Sequence, residues 1–323
     1  MKILTSAPHS RRLGRLFVAC FIFSTGLAAT TAARQGAITG TWRIDFDREQ
    51  PDLVSLSILR GSSRSDGPIA LGELQGLTRE QAFGAGQAVK FRIVREAGTF
   101  ECEGRFSGGK GSGSWQLFPN ESFVAEMRSR GYALSSDREL FESALFGVNL
   151  KSVDELKAAG YDHIPFNKLI ETRIFDVNAE LIEEMRGAGY TNLTLNELVE
   201  ARIFKIDSKY IGEVQSLGFG RPSFKQLVEM RSQNVTADYA REMRAAGFDL
   251  SPRELVDFKV FGVTSSFIKE LKEEGYPSIT PRQIVDLRVF QIDAAYIRRA
   301  KANGFPNATV EQIVNLRMNG TVK

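Results

Sequence analysis

The residues best suited to chemistry are few in this chain of 323 residues, which has two His and two Cys. His9 and Cys20 fall in an N-terminal leader, so His163 and Cys102 are the ones left to a mature protein. Metal sites usually combine several His, Cys and carboxylate ligands, and no such cluster with ligand spacing is present. A hydrolase triad around His163 would need a Gly-x-Ser-x-Gly elbow for its nucleophile, and the sequence has none. The acids Glu183-Glu184 and Glu273-Glu274 read as solvated helix faces with i,i+4 partners. A carboxylate-only glycosidase leaves no short motif, so a carboxylate-based hydrolase stands as the third functional expectation. The most regular chemistry is basic: Arg173, Arg202, Arg231, Lys259, Arg288 and Arg317 recur at one position of a repeat. Such a column has two readings. In one, each cation complements a helix C-terminus and pairs with a neighbouring repeat's Glu. In the other, the column is a guanidinium ladder that grips an acidic peptide or polymer.

The elements that position this column form a repeat. Blocks of 29 residues beginning at 117, 146, 175, 204, 233, 261 and 290 fall into register, the 233 block being one residue short. Gly131, Gly160, Gly189, Gly218, Gly247, Gly275 and Gly304 share one column, each followed by Tyr or Phe. Eleven residues earlier stands Asn120, Asn149, Asn178, Asp207, Thr236, Thr264 or Asp293, all side chains that accept from a free amide at a helix start. The glycine supplies the left-handed residue that ends that helix. A second cap follows at Ser136, Thr194, Ser223, Ser251, Thr280 or Thr309, with Glu or Gln three residues on, the pattern of a capping box. Pro165 and Lys168 break it in one copy. Each block therefore reads as a pair of short helices. One pair buries too little apolar surface to offset the ordering of its backbone, so stacking is required. Residues 117–318 are expected to form an α-solenoid of seven helix hairpins, with 319–323 as a tail.

The unit, seen in Phe175-Asp176-Val177-Asn178, Met185-Arg186, Gly189-Tyr190, Leu198-Val199 and Arg202, resembles repeats carried by some bacterial envelope proteins. Among these are tails that follow metallopeptidase domains of the beta-lactam-sensing antirepressor type. The resemblance covers 117–318. That peptidase needs His-Glu-x-x-His, and neither His9 nor His163 has a Glu beside it. The resemblance thus implies a bacterial envelope protein without the peptidase activity.

Residues 38–117 alternate instead with a period of two, as in Trp42-Ile44-Phe46, Val54-Leu56-Ile58 and Val89-Phe91-Ile93. Phe100, Cys102 and Phe106, then Trp115 and Leu117, continue the pattern of half-buried strands. Turn residues lie at Gly61-Ser62-Ser63 through Gly67-Pro68, at Gly98 and at Gly108-Gly109. Five to seven strands predict a small antiparallel barrel or sandwich, making the whole chain α+β and multidomain. Gly40-Thr41-Trp42 resembles the Gly-x-Trp opening of lipocalin-type barrels, which would make Trp42 part of a small-ligand pocket; otherwise Trp42 plugs the core. Gly104 with Gly109-Lys110 has P-loop spacing, but Gly111 replaces the Ser or Thr and no helix follows, so a glycine-rich hairpin is expected. Cys102, in step with its apolar neighbours, reads as a buried inert thiol.

Residues 1–33 have the basic, apolar and small-residue parts of a secretory leader: Arg11, Arg12 and Arg15, then Leu16 to Ala29, then Thr30 to Ala33. Export to the periplasm or beyond is expected, with no membrane span after cleavage, and a lipoprotein through Cys20 is the lesser alternative. The leader carries four cations and no acid, so removing it changes the net charge from +3 to 3 − 4 = −1. That provides no general attraction to nucleic acid. No cofactor is expected. These features together predict a non-catalytic, exported protein–protein interaction scaffold, whose partner is another protein or peptide. The alternative is a small-ligand-binding β domain with a helical partner-docking arm.

Overall fold

The computed structural model describes residues 37–46 and 52–322. The leader and Cys20 lie outside the described residues. The alternating segment forms seven strands: β1 (Ile38–Phe46), β2 (Leu53–Arg60), β3 (Ser63–Ala70), β4 (Leu74–Gln75), β5 (Ala85–Arg95), β6 (Gly98–Ser107) and β7 (Lys110–Pro119). They make one antiparallel sheet in the order β3-β2-β1-β7-β6-β5-β4. A short helix, α1 (Arg79–Phe83), interrupts the series with its own Thr78–Gln81 capping box. The sheet curls into a half-barrel, and β3 and β4 remain its two edges where closure would have paired them. The expected small antiparallel β domain is borne out in barrel-like form; what is corrected is only full closure, and the sandwich alternative.

A second correction concerns the segment from Ser63 to Pro68, expected as turn. The two-residue turn is Gly61-Ser62, Gly61 having φ +57°, and the chain then returns as β3 along β2. Proline is tolerated there because an edge strand need not use every amide. Gly108 and Gly109, both left-handed, form the corresponding turn between β6 and β7.

The inner face of the sheet follows from the register. Trp42 stands between Ile58 on β2 and Gly113 on β7, and Gly113 opposes Gly104 on β6. Two glycines side by side leave room for the indole, and a β-carbon on Gly104 would come within 2.5 Å of Trp42 Cζ2. Trp115 lies over Gly40 in the same way.

Past β7 the chain is helical: α2 (Glu121–Ser129), α3 (Asp137–Leu145), α4 (Leu150–Ala158), α5 (Phe166–Ile174), α6 (Ala179–Gly187), α7 (Leu195–Phe204) and α8 (Ser208–Gln215). There follow α9 (Phe224–Ser232), α10 (Ala237–Ala245), α11 (Pro252–Val260), α12 (Ser265–Glu273), α13 (Pro281–Val289), α14 (Ala294–Ala302) and α15 (Val310–Met318). All seven first-helix caps accept backbone amides, as Asn178 does from Leu181 and Asp293 from Tyr296. The six second-helix capping boxes are formed as well. The glycine column is left-handed throughout, with φ between +87° and +96°. In six copies the aromatic after it closes a Schellman motif, as in Tyr132 N to Met127 O, 2.9 Å. The Tyr hydroxyl then reaches a carbonyl 32 residues on: Tyr132 to Ile164, Tyr190 to Pro222 and Tyr276 to Ala308.

The second helices end in a further left-handed column at Gly147, Asp176, Lys205, Asn234, Gly262, Gln291 and Gly320. Only three of these are glycine, which hides the column in the sequence. Lys205, at φ +53° and ψ +48°, has neither glycine's freedom nor the local hydrogen bonding that helps Asn and Asp. Lys205→Gly is expected to raise stability by about 0.5–1 kcal/mol, because the relieved strain of ~1–2 kcal/mol exceeds glycine's entropic cost. The midpoint of urea unfolding checks this, and a lowered midpoint would count against it.

By compactness the chain divides between Ile174 and Phe175. The first unit holds the sheet with α1 to α5. There Phe141 of α3 stacks on Trp115 at 5.2 Å and meets the edge of Phe100, while Arg60 pairs with Asp137. In the second unit, successive second helices pack on one another, α7 on α9, α9 on α11, α11 on α13 and α13 on α15. Glu184 and Glu242 of the first helices accept the amides of Ser208 and Ser265 at the start of the next repeat's first helix. No helix among the described residues is long and apolar enough to cross a membrane.

Candidate functional site

The basic column turns inward to a greater extent than its charge suggests. Arg173 Nε donates to Gly147 O, Arg202 to Asp176 O, Arg231 to Phe204 O, Arg288 to Phe261 O and Arg317 to Phe290 O, at 2.9–3.3 Å. Each acceptor lies at the end of the preceding repeat's second helix, where carbonyls lack intrahelical partners. The expected Glu partner is replaced by backbone oxygen, with Asp176 and Asn178 adding to Arg202. Four of the cations also lie over a ring of their own repeat: Arg231 over Tyr210, Lys259 over Tyr239, Arg288 over Phe267 and Arg317 over Tyr296, at 4.5–5.2 Å. Such contacts contribute ~0.5–1 kcal/mol at exposed sites. The column thus clasps one repeat to the next.

The other sequence candidates are placed as follows. Trp42 is fully buried, stacked on Phe106 at 5.4 Å and set against Phe91 at 5.0 Å. Its indole N–H donates to the carbonyls of Glu103 and Ser114. The ring fills the interior. His163 is exposed in a hairpin turn at φ +53°. Glu183 pairs with Arg186, and Glu274 is held between Lys301 and Arg298. Lys301, with Arg298, keeps the Glu274 carboxyl below the usual carboxylate range. A general acid requires the opposite shift.

Cys102 is buried between its β5 and β7 neighbours, and burial pushes its thiol up to about 12. A thiol-reactive maleimide at pH 8 is therefore expected to leave Cys102 unmodified in the native protein and to modify it in urea. Because the folded thiol holds its proton where the unfolded one releases it, this group contributes a loss of stability as pH rises from about 9 toward 12. Rapid native labelling, read by mass, would overturn the assignment.

Sequence reasoning did not find a groove of about 500 Å³ in the first unit. On the inner face of the sheet, Ile58 is opposite Ser65 and Leu56 opposite Gly67, so the edge strand ends each cross-strand row with a small residue. The space left over Leu56 and Ile58 is bordered by Leu145 and Phe146 at the end of α3 and by Ile174 of α5. Arg64, Arg95 and Arg173 line it with Asp66 and Glu73. Arg64 pairs with Asp66 at 2.8 Å and Arg95 with Glu73 at 2.7 Å. The sequence signal for it is the pair of small residues Ser65 and Gly67 on β3, which turn-forming neighbours such as Pro68 mask.

Comparison with protein-family profiles, with curated proteins and with solved structures finds no match to this chain.

Proposed function

We propose that this protein is a non-catalytic interaction scaffold of the bacterial cell envelope, exported by its leader, with its seven hairpins stacked as an α-solenoid. The observation that carries the reading is a row of large apolar side chains left in solvent on consecutive second helices. Val260 is 53% exposed at the end of α11 and Phe261 37% beside it; Val289 is 47% exposed on α13 and Met318 62% on α15. Single exposed apolar residues are ordinary, but a recurrent row marks a surface that another protein covers. Lys259, Arg288 and Arg317 adjoin these residues and, being clasped to carbonyl or ring, present a pre-ordered border. The resemblance of the repeats supports the envelope setting. A photo-crosslinking residue at position 289, used in the native envelope, is expected to capture a discrete partner. Val260→Asp should abolish that product without moving the melting temperature. Crosslinking indifferent to Val260→Asp would sink the reading.

A second reading, in which the first unit binds a small ligand and the repeats serve as its docking arm, is favoured by the groove over Leu56 and Ile58 and not by Trp42.

A further inference from the structure

We propose that the groove of the first unit binds an amphipathic monocarboxylate, with its apolar body over Leu56, Ile58, Ile69 and Phe146 and its carboxylate on the outer guanidinium nitrogens of Arg173. This rests on the ligand-binding reading and adds the chemical class of the ligand. The volume, about 500 Å³, suits one small molecule. Its floor belongs to the half-barrel's inner face, where Ile58 and Ile69 are buried and therefore shaped by packing rather than free to collapse.

The charge of the ligand follows from counting pairs. Three guanidiniums and two carboxylates border the groove, the exposed Arg64–Asp66 pair at its rim, since these two alternate with inward Ser65 and Gly67. Asp66 neutralises Arg64 and Glu73 neutralises Arg95, which leaves one surplus cation, Arg173. Arg173 also departs from the rest of its column. Arg202 has Asp176, and Arg231, Lys259, Arg288 and Arg317 each have a ring, whereas among the described residues Arg173 has neither carboxylate nor ring. The position that supplies the ring in the later repeats, three residues after the first-helix cap, is Ser152 here. The bond from Nε to Gly147 O fixes the plane of the guanidinium and leaves its two outer nitrogens as donors. That fork fits one carboxylate in two-point contact. A dianion would exceed the surplus, and an uncharged lipid would leave it unmet.

Titration calorimetry of the full mature chain with decanoate, with decanol and decylamine in parallel, tests this below the micellar range. One decanoate per chain is expected to bind, at least about tenfold tighter than either control, since a charge-assisted pair separates them. Ser65→Phe, which fills the groove from an edge strand, should abolish binding, and Arg173→Gln should weaken decanoate about tenfold while leaving decanol unchanged. Decanol binding as tightly as decanoate would overturn the carboxylate assignment and leave the groove a ligand site. Failure of all three to bind, or decanoate binding that survives Ser65→Phe, would overturn the groove itself. Circular dichroism of each variant separates a lost site from a lost fold.

Discussion

Trp42→Ala is expected to cost about 3–5 kcal/mol, the cost typical of removing a large buried aromatic. Trp42 is fully buried, and its ring joins Phe91 on β5 to Phe106 on β6. The cavity left behind would be walled by strands fixed in register and has little means of collapsing. The carbonyls of Glu103 and Ser114 would also lose the indole donor. Trp42→Phe keeps most of the apolar volume and should cost clearly less. Urea unfolding followed by far-ultraviolet dichroism gives both values. A loss below about 1 kcal/mol for Trp42→Ala would mean that the interior is slack, and the description of Trp42 as a filled core position would fail.

Gly113→Ala is expected to be the most damaging of the single-methyl additions. Its β-carbon would overlap the Glu103 carbonyl oxygen and stand 2.6 Å from Gly104 Cα, both backbone atoms of β6 that no side-chain rotation can move. Relief requires β6 and β7 to part, which also lifts the strand beneath Trp42. Overpacking of this kind costs ~1–3 kcal/mol and occasionally more. Gly131→Ala is the informative comparison. A β-carbon there meets nothing within 4 Å, and its only penalty is the left-handed backbone at φ +96°. The same unfolding measurement should therefore place Gly113→Ala at or beyond the upper end of that range and Gly131→Ala at ~1–2 kcal/mol. If the two proved equal, the close approach of β6 to β7 would not be what glycine serves at 113.

These contrasts show which features were legible from the residues alone. The glycines at 131, 160, 189, 218, 247, 275 and 304 were readable because a backbone at φ near +90° strongly favours glycine, and the caps because few side chains accept an amide at a helix start. The second left-handed column was not readable. Asp176, Lys205, Asn234 and Gln291 tolerate the conformation at a cost met by the packing around them. The basic column was visible, yet its partners were not: they are carbonyl oxygens, and a backbone acceptor leaves no mark in composition. Pairing with Glu was the natural expectation for a cation on a helix, and backbone oxygen took its place because, within a unit, one second helix ends beside the next.

The sequence by itself determined the local events: strand alternation, caps, helix stops, the repeat period and the buried thiol. Each depends on a residue and neighbours within a few positions, so identity and spacing suffice. Only the tertiary structure decided that the sheet stays open between β3 and β4, that Ser65 and Gly67 face inward, and that Arg173, among the described residues, is the member of its column without a ring or carboxylate. Those depend on which distant residues meet. A void is the place where no side chain arrives, and it becomes visible only when every strand and helix has been set around it.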